Sequence, residues 1–184
     1  LQTDFSSPRG DDSSEDDWNF LPHLFAAYPL EEDVVAGLGI TAPYGQSVEW
    51  DRDGVFKFMA PFFAEMRLVN INPSLAYRIH EKLLVGIGAD IFDSSLELKQ
   101  SYDWAGLTPG APEGIAHLDG DGEGLGGNAG LTWLLTSNQR LAFTYHTSVR
   151  VDYDGTARFS NMPPPLQQMF RPKSDFSTEL HFPE

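Results

Sequence analysis

Within Gln139 to Arg158 the chain alternates over fifteen residues. Leu141, Phe143, Tyr145, Thr147, Val149, Val151 and Tyr153 hold the odd positions, and Arg140, Ala142, Thr144, His146, Ser148, Arg150, Asp152 and Asp154 the even ones. Period-two alternation of this kind belongs to a β-strand with one apolar and one polar face. A typical globular strand has only about 5–6 residues, so a run of this length points away from an ordinary sheet. Shorter runs repeat the pattern. Val69, Ile71, Leu75, Tyr77 and Ile79 alternate with Asn70, Asn72, Ser74 and Arg78; Leu125, Ala129, Leu131, Trp133 and Leu135 with glycines, Asn128 and Thr132; Val34, Ala36, Leu38 and Ile40 with Gly37, Gly39 and Thr41. The run 82–100 changes phase near Phe92, which predicts a bulge. Segments 19–28 and 175–183 read as less regular strands.

The connections carry the topology. Short ones fall at Leu30–Asp33, His80–Lys82 and Thr136–Gln139, and long ones at 43–65, 101–123 and 159–174, in strict alternation. Long alternating strands with tight turns at one end and long loops at the other describe an antiparallel up-and-down transmembrane β-barrel. Each crossing needs only about 9–11 residues. No stretch approaches the length of an apolar transmembrane helix. Tyr28, Tyr77 and Trp133 lie near the tight-turn end; Tyr44, Tyr102, Trp104 and Tyr153 lie near the long-loop end. They read as two aromatic girdles at the membrane interfaces, or as ordinary strand packing.

The charge follows the same division. The 184 residues carry 27 Asp+Glu against 12 Lys+Arg, net −15, and no cysteine. Such acidity argues against a nucleic-acid partner, and the lack of thiols excludes disulfides, zinc ribbons and a cysteine nucleophile. Residues 1–18, with Asp4, Asp11, Asp12, Glu15, Asp16 and Asp17 against Arg9, read as an acidic loop or disordered segment. With the three long loops they hold −10 of the −15. That rim either keeps mobile loops solvated or meets outer-leaflet lipid and lipopolysaccharide through divalent cations.

No reaction centre is visible. Gly122–Gly127 satisfies GxGxxG without the strand and helix a dinucleotide site needs. Asp119–Glu123 resembles a calcium loop, but Gly130 stands where the bidentate acid belongs. The five histidines are scattered and no GxSxG occurs. Catalytic residues, metal ligands and cofactors are therefore not expected. Two other readings are a barrel hydrolase and a soluble, acidic β-sandwich binding protein; the first lacks a Ser–His–acid grouping, and the second rests on acidity alone.

Several segments resemble one family. The runs IAHLDGDGEGLGGNAG (115–130), LAFTYHTSVRVDYDG (141–155), VAGLGITAPYG (35–45), NPSLAYRI (72–79), VGIGA (85–89) and LHFPE (180–184) are similar in order and spacing to the long-chain fatty-acid transporters of Gram-negative outer membranes, the FadL/TodX type. The resemblance covers roughly 19–184. It implies a fourteen-stranded barrel with an N-terminal hatch, of which this chain supplies about seven consecutive strands. The rest would come from sequence outside it.

The resemblance also implies a monomeric passive transporter for fatty acids or hydrocarbons. Ligand would be caught among the outer loops, held inside the barrel and released sideways at an inward kink of one strand. The kink matches Ala42, Pro43, Tyr44 and Gly45, where Pro and Gly could also mark a simple strand end. Exposed loop hydrophobes Trp104, Leu107, Leu166, Met169 and Phe170 are candidates for capture, or for packing onto the barrel mouth. The stretch 101–117 is short, with Pro109, Pro112 and three glycines, which leaves little room for a helical, groove-forming loop. A ligand carboxylate would want an inward cation. Alternation points Arg78 and Arg150 to the lumen, Lys99 lies near where the family places a basic residue, and His146 stands where relatives carry arginine. Arg150 with Asp152 or Asp90 could instead be a structural ion pair.

Overall fold

The computed structural model describes residues 3–8, 10–15 and 21–182. Parts of the expected acidic tail and of segment 19–28, and the closing Pro183–Glu184, lie outside the described residues. Strands β3 (Leu24–Pro29), β4 (Val34–Glu49), β5 (Phe63–His80), β6 (Leu83–Tyr102) and β7 (Gly114–Thr136) follow in order, each antiparallel to the one before. β8 (Gln139–His146) and β9 (Val149–Phe159) both lie along the far side of β7, and β10 (Lys173–Phe182) closes the order. β3 and β10 are the edges, so the described strands form an open, curled sheet, not a closed barrel.

Direct partners in a ladder share a face, so the registers sort every side chain. In the tight-turn half the convex face carries Leu38, Leu75, Ile87, Leu131 and Phe143, all well exposed. The concave face carries Gly37, Ser74, Asn72, Gly88, Asn128 and Thr144. Apolar outside and polar inside is the pattern of a lipid-embedded wall. On β6 and β7 this belt runs from Leu83 to Ile91 and from Leu125 to Trp133, nine residues each. That equals one bilayer crossing of about 9–11 residues.

Beyond that belt the polarity reverses. The outward rows become Asp93, Glu123, Asp152 and Glu179, then Glu97, Asp119, Thr156 and Asp175. The inward face becomes Leu68, Phe92, Leu96, Val149, Val151 and Tyr153. Outside the bilayer water is on the outer face, so the chain is arranged there like a soluble protein. The phase change near Phe92 is this reversal. β6 pairs with β7 from Leu83↔Trp133 to Tyr102↔Gly114 with no slip, so the bulge expected there is absent.

A bulge occurs instead where the alternation is most regular. Asn128 pairs with His146 but Gly124 with Val151, so β8–β9 holds one residue more than β7. Thr147 N–H donates to Gly127 O (2.9 Å), and Gly127 N–H to Thr147 Oγ1 (3.0 Å). The extra residue exchanges the faces of odd and even positions. Leu141, Phe143 and Tyr145 point to lipid, while Val149, Val151 and Tyr153 point inward.

The loops are shorter than expected: 50–62, 103–113 and 160–172. β4 continues past Pro43 to Glu49, and Gly114–Glu123 is strand. The glycines there read as loop, but a Cβ on Gly122 would lie 2.7 Å from Tyr153 Cδ1, so their bareness makes room for the β9 side chains. The acidic 4–13 region forms a hairpin, β1 (Asp4–Ser7) and β2 (Gly10–Ser13). Phe5 packs on Phe56 at 4.6 Å, which supplies the apolar contact its composition hides. Of the two girdles, the tight-turn one has its rings outward (Tyr28, Tyr77 and Trp133, each about half exposed or more). The other dissolves, because Trp104 and Tyr153 are buried.

Candidate functional site: an apolar chamber over a polar floor

The chamber is the concave face above the membrane belt. Leu68, Val149, Val151 and Tyr153 are buried together, flanked by Phe92, Leu96 and Phe182. Tyr153 keeps its hydroxyl satisfied on Ser94 Oγ at 2.7 Å, while Ser94 donates to Arg67 O (2.8 Å). A buried phenol without such a partner would be costly.

One wall of the chamber is the kinked strand. Thr41 pairs with Asn70 and Tyr44 with Leu68, so Ala42–Pro43 interrupts the β4–β5 ladder by one residue. Pro43 has no N–H to give that ladder. The chain then turns inward. Ala42 is buried, and the Tyr44 ring stacks on Phe182 of β10 at 5.3 Å. On the other side Leu21 closes over Gly45, where a Cβ would lie 2.5 Å from Leu21 Cδ2. A cavity of about 530 Å³ adjoins the kink, lined by Leu21, Tyr44, Gly45, Met66 and Leu68 among others.

The floor is a carboxylate held in amides. Asp90 is 3% exposed. Asn70 and Asn72 Nδ2 donate to its Oδ1 at 2.8 and 2.9 Å, and Asn128 Nδ2 to its Oδ2 at 2.9 Å. His146 Nδ1 lies 3.7 Å from Oδ2. Three other strands, β5, β7 and β8, thus converge on this β6 anion just on the tight-turn side of the kink, since Asn70 pairs with Thr41 and Asn72 with Gly39. The partner of Asp90 is therefore His146, not Arg150.

The expected cations divide. Arg78 and His146 are on the inward face, Arg78 at the tight-turn end beside Asp33 (3.6 Å). Arg150 and Lys99 are not. The bulge turns Arg150 outward to Asp152 and Glu179 (3.3 and 3.6 Å). Lys99, directly opposite Phe63, sits over that ring at 4.5 Å and bonds Glu97 at 2.9 Å. Lys99, then His117, holds the Glu97 carboxyl below its ordinary range.

Among the loops, Trp104 is a buried anchor, its Nε1 donating to Ser160 O at 2.9 Å. Leu107, Met169 and Phe170 are exposed and Leu166 is half-buried. The missed hydrophobes are in loop 50–62. Phe58 and Met59 are exposed, and Phe58 joins Tyr102, Gly106 and Leu107 around a cavity of about 390 Å³. The turn is held by a positive φ at Phe58 (64°) and by Lys57, which bridges Asp53 and Glu113 at 2.7 and 2.9 Å. The signal was present as WDRDGVFKFMAPFF (50–63), an aromatic density unusual for a solvent loop.

Known proteins resemble this chain in sequence and in fold. A family model described as "Outer membrane protein transport protein (OMPP1/FadL/TodX)" matches residues 4–180. The "Long-chain fatty acid transport protein" of Escherichia coli O6:H1 is 26% identical over 162 residues, 78% of this chain and 36% of that protein. "Outer membrane protein P1" of Haemophilus influenzae is 26% identical over 167 residues, 75% of this chain and 36% of that protein. The crystal structure of a Pseudomonas aeruginosa FadL homologue superposes with TM-score 0.77 at 18% identity, covering 94% of this chain and 44% of that one. The Ralstonia pickettii toluene transporter TbuX gives 0.63 at 18%, covering 96% and 48%. The chain thus spans about a third of these curated relatives and just under half of the solved barrels. With a lipid-facing belt one bilayer deep and a family match over nearly its whole length, the chain belongs to the OMPP1/FadL/TodX family of outer-membrane transport proteins.

Proposed function

We propose that the complete protein carries hydrophobic molecules, fatty acids or hydrocarbons, passively through the outer membrane and releases them sideways at the β4 kink. The observation that carries this reading is the break in the β4–β5 ladder at Ala42–Pro43, which borders the apolar chamber. An apolar ligand can then pass from chamber to bilayer without crossing a watery lumen. Leu107, Met169 and Phe170, joined by Phe58 and Met59, are the capture surface in this reading, and Leu21 and Tyr44 flank the opening. The charged outward rows above the belt face the headgroup layer, where lipid and lipopolysaccharide are the partners.

The test is a double replacement, Pro43→Val with Gly45→Val, in the full-length transporter. It restores a donor at 43 and puts a side chain where Leu21 closes over Gly45. Uptake of labelled hydrophobic substrate by cells lacking other transporters should fall severalfold while the amount of folded barrel holds. Unchanged uptake would remove the gate from Ala42–Gly45.

A further inference from the structure

The inward face above the floor has an unusual charge distribution for a wall that would handle fatty-acid anions. From Asp90 towards the loops, the inward positions of β4, β5, β6, β7, β9 and β10 include no Lys, Arg, Asp or Glu among the described residues. They are Leu, Val, Tyr, Phe, Ala and Gly with Ser, Thr, Gln and Met. The basic side chains of these strands at this height, Arg67, Lys99, Arg150, Arg158 and Lys173, all hold outward positions, and the first four pair with acids there. At the bottom of the chamber stands one carboxylate, Asp90; among the described residues no Lys or Arg lies within ion-pair reach of it, and the one base beside it is His146, its Nδ1 3.7 Å from Oδ2. The hydrogen-bond donors to Asp90 are three neutral amides.

The cage keeps that anion where it is. Three amide donors satisfy the carboxylate without cancelling its charge. Asn70 Oδ1 is itself buried without a partner, a cost the fold bears to aim the Asn70 amide at Asp90. The floor lies just on the tight-turn side of the kink, Asn70 pairing with Thr41 and Asn72 with Gly39, so a ligand seated in the chamber at the opening has this carboxylate beneath it. A neutral hydrocarbon or ester loses nothing there. A fatty-acid head group meets a like charge in a poorly screened interior. At an effective dielectric of about 20, two like charges roughly 12 Å apart lower affinity about tenfold.

We propose that this lumen selects neutral hydrophobic ligands against fatty-acid anions, and that Asp90, fixed by Asn70, Asn72 and Asn128, is the selecting group. The inference rests on the transport reading and deepens it by naming the ligand class.

Binding of labelled palmitate and labelled methyl palmitate to the purified full-length protein, each corrected for micelle partition, tests it. The two probes differ in charge at constant chain length. Wild type should bind the ester about tenfold more tightly than the acid. Asp90→Asn, an isostere, should bring the ratio near one by strengthening palmitate alone, and Asp93→Asn, which removes an outward carboxylate of the same strand, should preserve the wild-type preference. Equal or tighter palmitate binding by wild type overturns the proposal, as does an Asp90→Asn ratio unchanged from wild type or a preference lost in Asp93→Asn. If Asp90→Asn fails to show the heat-modifiable migration of a folded barrel, the wild-type ratio decides. Both ligands bound without discrimination defeats charge selection only; neither ligand bound defeats the transport reading as well.

Discussion

Deleting Ser148 separates two descriptions of the longest alternating run. If β8 and β9 formed one regular strand, losing a residue would turn everything after it over. Val149, Val151 and Tyr153 would leave the chamber, at about 2 kcal/mol of lost burial each, and the Ser94–Tyr153 hydrogen bond would go with them, about 1 kcal/mol more. Arg150, Asp152 and Asp154 would face inward unpaired, and no marginally stable fold withstands that. The registers say otherwise. Asn128↔His146 and Gly124↔Val151 differ by the one extra residue at Thr147–Ser148, so the deletion leaves every other pair in place. Only the Gly127 N–H to Thr147 Oγ1 bond must be exchanged for a ladder bond. The expected change is within about 1 kcal/mol, read as the urea midpoint of the heat-modifiable full-length barrel. Loss of folding, or a shift of several kcal/mol, would refute the bulge and the face assignments that depend on it.

Four further outcomes follow from the geometry. Gly155→Ala places a Cβ 2.2 Å from Asp119 O and 2.7 Å from Gly120 Cα, so β7 and β9 must part, at about 1–3 kcal/mol of overpacking. Gly86→Ala, with its nearest neighbour at 3.7 Å, should be close to neutral in the same denaturation series. Lys57→Met should leave barrel stability unchanged while loop 50–62, freed from Asp53 and Glu113, becomes cleavable by chymotrypsin near Phe56–Phe58; equal protection would dismiss the tether. Glu97 is held below its ordinary 4.5, first by Lys99 and then by His117. A depressed carboxyl stabilises above its unfolded value and loses that contribution as pH falls through the folded one. The stability gap between wild type and Glu97→Gln should therefore be constant above about pH 5 and shrink below 4.5; a gap independent of pH would contradict the pairing.

The strand count, the tight turns and the barrel class were legible because alternation records the pleat directly. Which face was which was not. Alternation reports parity, and parity is tied to a face only while the strand is regular and its surroundings constant. On β6 the surroundings change, so apolar residues pass from Ile91 outward to Phe92 inward with no bulge. On β8–β9 the surroundings and the parity change together, so a real bulge leaves no trace in the pattern. That is why Arg150 was assigned to the lumen and points away from it. The run Gly114–Glu123 read as loop because glycine and aspartate disfavour strands, and cross-strand packing by Val151 and Tyr153 overrides that. Asn70, Asn72, Asp90, Asn128 and His146 share no local motif. Only the register of four strands brings them together.

One alternating run spans two environments, with Phe143 in lipid and Tyr153 in the chamber although both hold odd positions. These 184 residues hold no cysteine, so single nitroxide labels at 143, 153 and 152 in the reconstituted full-length protein, with any cysteine elsewhere replaced by serine, report each site by itself. The label at 143 should be relaxed by oxygen dissolved in the bilayer, the one at 152 by a water-soluble nickel complex, and the one at 153 by neither. Equal oxygen accessibility at 143 and 153 would show a single lipid-facing strand and contradict the account.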